Sequence, residues 1–451
     1  MRALARLALA LTLALATALA AAQTDDPNAD LRRLLDGVAS HPGLRAAEAA
    51  ADAAALRAAA VRAPVSLSVE ISMQRLQVEP ASDPLPEPFD DLFDIDAATD
   101  RATVTALLRP FVVGDLRDLL DQRLVDLARA ELAARETRAT LEAQGVRAAV
   151  GVLLAQRSRD LAADALALSR RALDATQRRF DGGGATSFDL RRAELQASEA
   201  ERALERAERQ RASAEAGLAQ LVGEARLADL PTLEPVLAAP PDLVRAVLDL
   251  QLAEIGLRNQ SRALLPTVQA GYSWLGDGGD SLTLGIESRT LQPALSYAPA
   301  IGSANGSGGD DLLTGLTPSV RGSFNVSLSW TISPQDAIER DAGARQLQAA
   351  AAAIEAAHDR AELRLRSDRD ALADAQRGLE LATLERALAV DEAAAAAERF
   401  AAGLIGPLER DQAQLALTQA EIAWWGARAD LLGVVLDTYA YYAVPISEVM
   451  P

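Results

Sequence analysis

Apolar positions recur every three or four residues along two very long stretches of the chain. The first runs from about 115 to 179, contains no proline and little glycine, and includes Val146, Val150 and Leu153. This spacing predicts an α-helix with one apolar face. The second stretch, from about 335 to 402, repeats the pattern at nearly the same length. At 1.5 Å per residue each helix would be about 100 Å long, so the helices must bury narrow stripes against one another as coiled-coil pairs.

A tight turn and a shorter returning helix are predicted after each long helix, at about 185–222 and 406–440. The two turns read RFDGGGATSFDLRRAEL (179–195) and RFAAGLIGPLERDQAQL (399–415), which align without a gap. In this alignment Phe180 meets Phe400, Gly183 meets Gly403, and the acidic Asp189 meets Glu409. The repetition indicates an internal duplication.

A second pair of segments, 41–72 and 244–273, supports the duplication, since Pro64 aligns with Pro266. Each half therefore reads as a helix, a proline, alternating segments and a long helical hairpin. We predict a first repeat over 23–223, a proline-punctuated linker over 224–241, a second repeat over 242–440 and a C-terminal segment over 441–451.

Segments in which polar and apolar residues alternate lie between the helices. In the clearest one, 319–332, Phe324, Val326 and Leu328 share one face with Trp330, and Arg321 lies on the other with serine, asparagine and threonine. This pattern is typical of a membrane β-strand of about 10 residues. Four strands are predicted, at about 65–79, 101–113, 267–288 and 318–333. The stretch SLTLGIES (281–288) either extends the third strand or belongs to a larger outer loop.

Four strands per chain cannot close a membrane barrel, because the smallest known ones use eight. An open sheet edge cannot persist in lipid, so several chains would have to share one barrel. Trp274 and Trp330 are then predicted to lie in the aromatic belt at a membrane interface. A small soluble sandwich capped by helices is the alternative for these segments.

The N-terminal residues 1–22 combine Arg2 and Arg6 with an apolar run and three alanines before Gln23. This is the pattern of a secretory signal peptide. No later stretch of 18 apolar residues lacks a charge, so the mature chain has no predicted transmembrane helix. The formal charge of −19 argues against a nucleic-acid partner.

Residues for chemistry are scarce. The chain has no cysteine and only two histidines, His41 and His358, which stand alone in different segments. We therefore expect no catalytic residues, no metal site and no cofactor, which disfavours a secreted enzyme with a helical stalk.

Together these features resemble the TolC-type outer-membrane efflux protein family. The duplicated turn carries the resemblance, together with Pro42 and Leu44 in a P-x-L element and the helix-to-strand sequence LLPTVQAGYSW (264–274). The resemblance implies a mostly α fold with a membrane β-barrel contribution. Three chains would form a twelve-stranded barrel and a twelve-helix periplasmic tunnel, and residues 224–241 and 441–451 would contribute to an equatorial collar. The implied location is the outer membrane, extending into the periplasm.

The implied role is a passive exit duct of a tripartite efflux or type I secretion system. Its partners would be a periplasmic adaptor protein, an inner-membrane pump and the outer-membrane lipid. The two turns would be the periplasmic tips. The family's acidic entrance ring matches Glu409, its second acidic position falls on Gln412, and Asp189 is a weaker candidate. The residues expected to contact the adaptor are Gly183, Thr186, Gly403 and Gly406.

Other interpretations of the residues remain open. A periplasmic coiled-coil scaffold or envelope tether would share the long helices but would not conduct ions. The turn glycines could act only as turn formers, and Glu409 could be an ordinary solvated charge. Trp424 and Trp425 are expected to pack or to anchor the equatorial region.

Overall fold

The architecture is mostly helical, with one antiparallel sheet. The computed structural model describes residues 29–77, 96–109, 111–223, 227–275, 280–301, 322–330 and 333–450. The predicted signal peptide, most of the connection 80–100, much of the connection 275–318 and residues 224–226 of the linker lie outside the described residues.

The helices follow the predicted order. They are α1 (Ala29–Ala39), α2 (Pro42–Val61), α3 (Asp115–Asp181), α4 (Ser187–Val222), α5 (Pro241–Ala263), α6 (Pro334–Ala401), α7 (Pro407–Tyr441) and α8 (Ile446–Val449). The two long helices, α3 and α6, have 67 and 68 residues. Acidic side chains in the first turn of α3 and arginines in its last turn complement the helix dipole. No helix in the described part of the chain is long and apolar enough to cross a bilayer.

The strands form one antiparallel sheet. They are β1 (Val65–Gln77), β2 (Asp96–Leu108), β3 (Thr267–Leu275), β4 (Ser281–Glu287), β5 (Pro293–Ala298), β6 (Ala300–Ile301) and β7 (Gly322–Ser329). Their order across the sheet is β1-β2-β5-β4-β3-β7, and the two-residue strand β6 pairs with β2. β1 pairs with β2, and β3 pairs with β7, although β4 and β5 lie between β3 and β7 in the chain.

The fold class is confirmed, but the strand count is corrected. Six strands of six or more residues lie side by side among the described residues, instead of four. Residues 281–287 neither extend the third strand nor lie in a loop, because they form a separate strand, β4, that pairs with β3 and with β5. The second strand also ends earlier than predicted, at Leu108. Its apolar alternation continues to Val112, but Pro110 has no amide hydrogen to donate to a neighbouring strand.

The chain divides into two compact units. One unit comprises the described residues within 1–50, 130–245 and 355–451, and the other comprises those within 51–129 and 246–354. The first unit has its main apolar core around α1. Leu31, Leu34, Leu35 and Val38 are buried at helical spacing and pack with the middle of α3 and the second part of α7. The C-terminal Ile446 is fully buried in the same core.

The second unit contains the sheet and the helix segments that adjoin it. A small apolar cluster joins Val125 of α3 to Leu248 and Ile255 of α5. Beside it, the carboxylate of Asp118 is almost fully buried and forms ion pairs with Arg258 and Arg262 of α5. These contacts fix α3 against α5 next to the strands.

Candidate functional site: two equivalent turns and the faces of the sheet

The two predicted tips have the same backbone structure. Each long helix ends one residue past its Arg-Phe pair, and the returning helix begins six residues further on. Gly183 and Gly403 have φ angles of 72° and 73°, in the left-handed region that glycine favours. Their amides donate to the carbonyl oxygens of Phe180 and Phe400, and both N···O distances are 2.9 Å. Both glycines are therefore required as turn formers, whatever they also contact.

The first turn is closed by a capping box at the start of α4. Thr186 accepts a hydrogen bond from the amide of Asp189, and the Asp189 carboxylate accepts from the Thr186 amide at 2.9 Å and from its hydroxyl at 2.7 Å. These bonds lower the pKa of Asp189 below its ordinary value of 3.8, the amide bond first and the hydroxyl bond second. Nearby Arg179 and Arg192 contribute in the same direction. The carboxylate is thus already engaged within its own turn.

The second turn lacks that box because Gly406 stands where the first has Thr186. Gly406 is the N-cap of α7 without a side-chain bond, and Pro407 follows at the first helical position. Glu409, the equivalent of Asp189, is exposed. Within the described part of the chain its carboxylate has no hydrogen-bond or ion-pair partner, so its charge faces solvent.

The next acidic residue, Asp411, has a different role that the sequence did not suggest. Its side chain is only 13% exposed and pairs with Arg171 of α3 and with Arg410. The Arg410 guanidinium lies 4.5 Å from the centre of the Phe400 ring. Asp411 therefore connects the first helical hairpin to the second, whereas Gln412 is exposed.

The two tryptophans predicted at membrane interfaces lie at opposite ends of one pair of strands. Trp274 is near the end of β3, opposite Gly322, is 58% exposed, and makes an edge-on contact with Tyr272. Trp330 directly follows β7, is 60% exposed, and its indole N–H donates to the carbonyl oxygen of Leu264 at 3.0 Å. Each tryptophan thus exposes an apolar ring at one end of the β3–β7 pair.

Trp424 and Trp425 are packing residues. Their rings lie 5.4 Å apart in an edge-on arrangement, and the guanidinium of Arg428 lies about 5 Å from both ring centres. The Trp424 indole N–H also donates to Thr383 of α6 at 3.2 Å. These contacts join α7 to the long helix beside it.

The described residues contain no group of three or more histidine, aspartate or glutamate side chains that could hold a metal ion.

We next compared the sequence and the fold with those of known proteins. Residues 36–224 match the family model described as "Outer membrane efflux protein". No curated protein matches the sequence. Solved structures do match the fold. One is a membrane protein from Pseudomonas aeruginosa, with a TM-score of 0.61 and 19% identity over 92% of this chain and 93% of that one.

Two further structures are similar to the same extent. The outer membrane protein VceC from Vibrio cholerae matches with a TM-score of 0.60 and 18% identity, over 92% of this chain and 96% of its own. The open state of the MtrE outer membrane channel from Neisseria gonorrhoeae matches with a TM-score of 0.57 and 17% identity, over 92% and 88%.

The fold is thus that of outer-membrane channel proteins. The resemblance to the TolC-type outer-membrane efflux protein family is confirmed, in sequence over residues 36–224 and in fold over nearly the whole chain. The location that follows is the outer membrane, extending into the periplasm.

Proposed function

We propose that three copies of this chain form a passive outer-membrane duct for a tripartite efflux or type I secretion system. The observation that carries the proposal is the sheet. Its outward apolar side chains are exposed, as for Leu284 at 52% and Phe324 at 71%, and a tryptophan stands at each end of the β3–β7 pair. A lipid-facing apolar band between two aromatic levels is typical of membrane barrels.

The length of these strands fits the same role. From Gly322 to Trp330 a strand rises about 26 Å at 3.3 Å per residue. Because barrel strands tilt by about 35–45°, this length spans most of an apolar band about 25 Å tall. The two tryptophans would then lie near the two interfaces.

The long helices support a homo-oligomer. On α6, Leu381, Leu384 and Leu388 share one face and are 59%, 68% and 60% exposed. In a lone chain this stripe exposes apolar surface to water, which costs free energy. Another copy of the same helix bundle would cover it. The duplicated hairpin provides helices of matching length for this packing.

At the periplasmic tips we propose two roles. Three Glu409 carboxylates brought together by threefold symmetry would raise the local negative potential and favour cations at the entrance. The exposed turn residues Gly183, Thr186, Gly403 and Gly406 would contact the periplasmic adaptor, which links the duct to an inner-membrane pump. Asp189 has less claim to the entrance because the capping box already engages it.

The test is single-channel conductance of the purified protein in a planar bilayer, with the oligomeric mass measured in the same detergent. We expect a trimer that conducts and prefers cations. A monomer, or an assembly that does not conduct, would overturn the proposal in favour of a periplasmic scaffold or tether. If the trimer conducts, pairing it with candidate pumps would identify the transported substrate.

A further inference from the structure

The pair of strands β4 and β5 gives each chain two more strands than the TolC-type resemblance implies. From this we propose that three chains close an eighteen-stranded barrel. In it β4 and β5 are lipid-facing strands between the β1–β2 pair and the β3–β7 pair. The inference rests on the proposed function, because only a barrel shared between copies leaves no open edge in lipid.

The position of β4 and β5 in the sheet is the first argument. β5 pairs with β2 from Val104↔Tyr297 to Leu107↔Ala294, and β4 pairs with β3 from Gln269↔Glu287 to Leu275↔Ser281. The inserted hairpin therefore separates β2 from β3, which would be neighbours if each chain had only the two repeat hairpins.

The side-chain pattern is the second argument, because one row of neighbouring residues crosses all six strands with the same polarity. On one face the row is apolar: Leu67, Ala106, Leu295, Leu284, Tyr272 and Phe324. The adjacent row, on the other face, consists of hydroxyl residues: Ser68, Thr105, Ser296, Thr283, Ser273 and Ser323.

The hydroxyl row is also connected across the inserted strands. The hydroxyls of Thr105 and Ser296 lie 3.0 Å apart, and the Thr283 hydroxyl donates to that of Ser273 at 3.2 Å. A row that continues through β5 and β4 without a change of polarity means that these strands share both surfaces with the other four. If β4 and β5 formed an extracellular loop outside a twelve-stranded barrel, their apolar and hydroxyl residues would not need to alternate in register with those of the other four strands.

The turn between β4 and β5 is fixed to the rest of the unit. The Arg289 carbonyl oxygen accepts from the Asp115 amide at 3.3 Å, at the start of α3, and a side chain at Gly114 would collide with this oxygen. Gly114 also has a φ of 61°, in the left-handed region. Both this backbone angle and the lack of space for a side chain favour glycine at the position. At the other side, Ser288 exchanges hydrogen bonds with the backbone of Val268 at 2.8 and 3.0 Å.

Strand direction makes closure possible. All neighbours in the sheet are antiparallel, so with six strands the two edge strands, β1 and β7, run in opposite directions. The β7 edge of one copy can therefore pair in antiparallel fashion with the β1 edge of the next. The occupant that we assign to each edge is a second copy of this chain. Inserting one hairpin keeps the number of strands even, so the facing edges of successive copies remain antiparallel.

The consequence is a wider pore through the outer membrane. Barrel diameter grows roughly linearly with strand number, so eighteen strands give a barrel about 1.5 times as wide as twelve. Its inner wall would carry the hydroxyl row three times over. This wall is polar, and Glu70 and Glu287 add carboxylates on the same face as the hydroxyls.

Disulfide formation in the assembled trimer tests the inference, and the chain has no cysteine of its own to interfere. Bridged Cα atoms lie at most about 7 Å apart, and neighbouring strands are about 4.8 Å apart. Two double variants join proposed neighbours, Thr105→Cys with Ser296→Cys and Ser273→Cys with Thr283→Cys. A third, Thr105→Cys with Ser273→Cys, joins β2 to β3, which we place three strand spacings apart, about 14 Å.

After oxidation of conducting trimers, mass spectrometry of proteolytic fragments should detect the first two bridges and not the third. A bridge between positions 105 and 273 would overturn the eighteen-stranded barrel, because β2 and β3 would then be direct neighbours. Electron cryomicroscopy of the unmodified trimer provides a second reading, eighteen strands against twelve. Loss of the trimer or of conductance in the unmodified protein would instead overturn the proposed function.

Discussion

One residue of the helix cap separates the roles of two equivalent carboxylates. Thr186 engages Asp189 in a capping box, whereas Gly406 offers Glu409 no side chain. The alignment of the two turns predicted equal positions for these carboxylates, and their different surroundings follow from the change of threonine to glycine. Glu409 is therefore the better candidate for an entrance charge.

The first prediction concerns Glu409. We expect Glu409→Gln to reduce the cation preference of the channel severalfold, because three carboxylates would be neutralised at once. Reversal potentials under a salt gradient measure this preference. Glu380→Gln is the matched control, since Glu380 is exposed on α6 far from the turn. Equal selectivity in both variants would remove Glu409 from the entrance.

A second prediction follows from the lowered pKa of Asp189. A carboxylate with a depressed pKa stabilises the folded turn above its ordinary value of 3.8, and this stabilisation is lost as the pH falls through the lowered pKa. At pH 7, Asp189→Ala should therefore speed hydrogen exchange in the first turn of α4. The difference from the unmodified protein should shrink below pH 3.8. Glu194→Ala, on the same helix without a cap bond, should have no such effect.

The third prediction concerns the ion pair between Arg171 and Asp411, which joins residues 240 positions apart in the chain. A double-mutant cycle with Arg171→Ala and Asp411→Ala should give a coupling of about 0.5–1 kcal/mol, since Arg171 remains largely exposed. Resistance of the tips to proteolysis is the readout. Strictly additive effects would show that the pair does not hold the hairpins together. No local pattern could predict this contact, because it depends on how two separate hairpins pack.

At the scale of elements, periodicity predicted all long helices to within a few residues. It also predicted the pairing of β1 with β2 and of β3 with β7. It missed β5 because Pro293 begins that strand and Pro299 follows it, and proline normally marks the limits of strands. The alternation in SLTLGIE (281–287) was the available signal for β4, but the pairing that makes it a separate strand is tertiary.

The fourth prediction distinguishes the two faces of β7. Phe324 belongs to the apolar row, and its neighbour Asn325 points to the other face. Phe324→Arg should strongly reduce trimers in the outer membrane, because an arginine that faces lipid costs about 2–4 kcal/mol near the midplane. Asn325→Arg should assemble, since a charge on the inner wall meets water. Heat-modifiable trimers in outer-membrane fractions provide the measurement, and equal yields for both variants would contradict a lipid-facing role for β7.

At the scale of the whole molecule, two features of the described chain support the proposed association between copies. Among the described residues the sheet ends in two unpaired edges, and α6 exposes a stripe of leucines that these residues leave uncovered. Both features would be resolved by the same symmetric association. For the same reason, the sequence patterns of the strands and of the long helices did not fit a compact single chain.

The fifth prediction tests whether the helices take part in that association. Leu384→Asp places three charges in the proposed helical contacts of a trimer, so trimer yield should fall several-fold relative to the unmodified protein. Leu384→Met keeps the side chain apolar and similar in volume, and should assemble normally. Because Leu384 is 68% exposed in a single chain, neither change should disturb the folded protomer, which circular dichroism can verify. A normal trimer from Leu384→Asp would limit the contacts between copies to the sheet edges and to other helix faces.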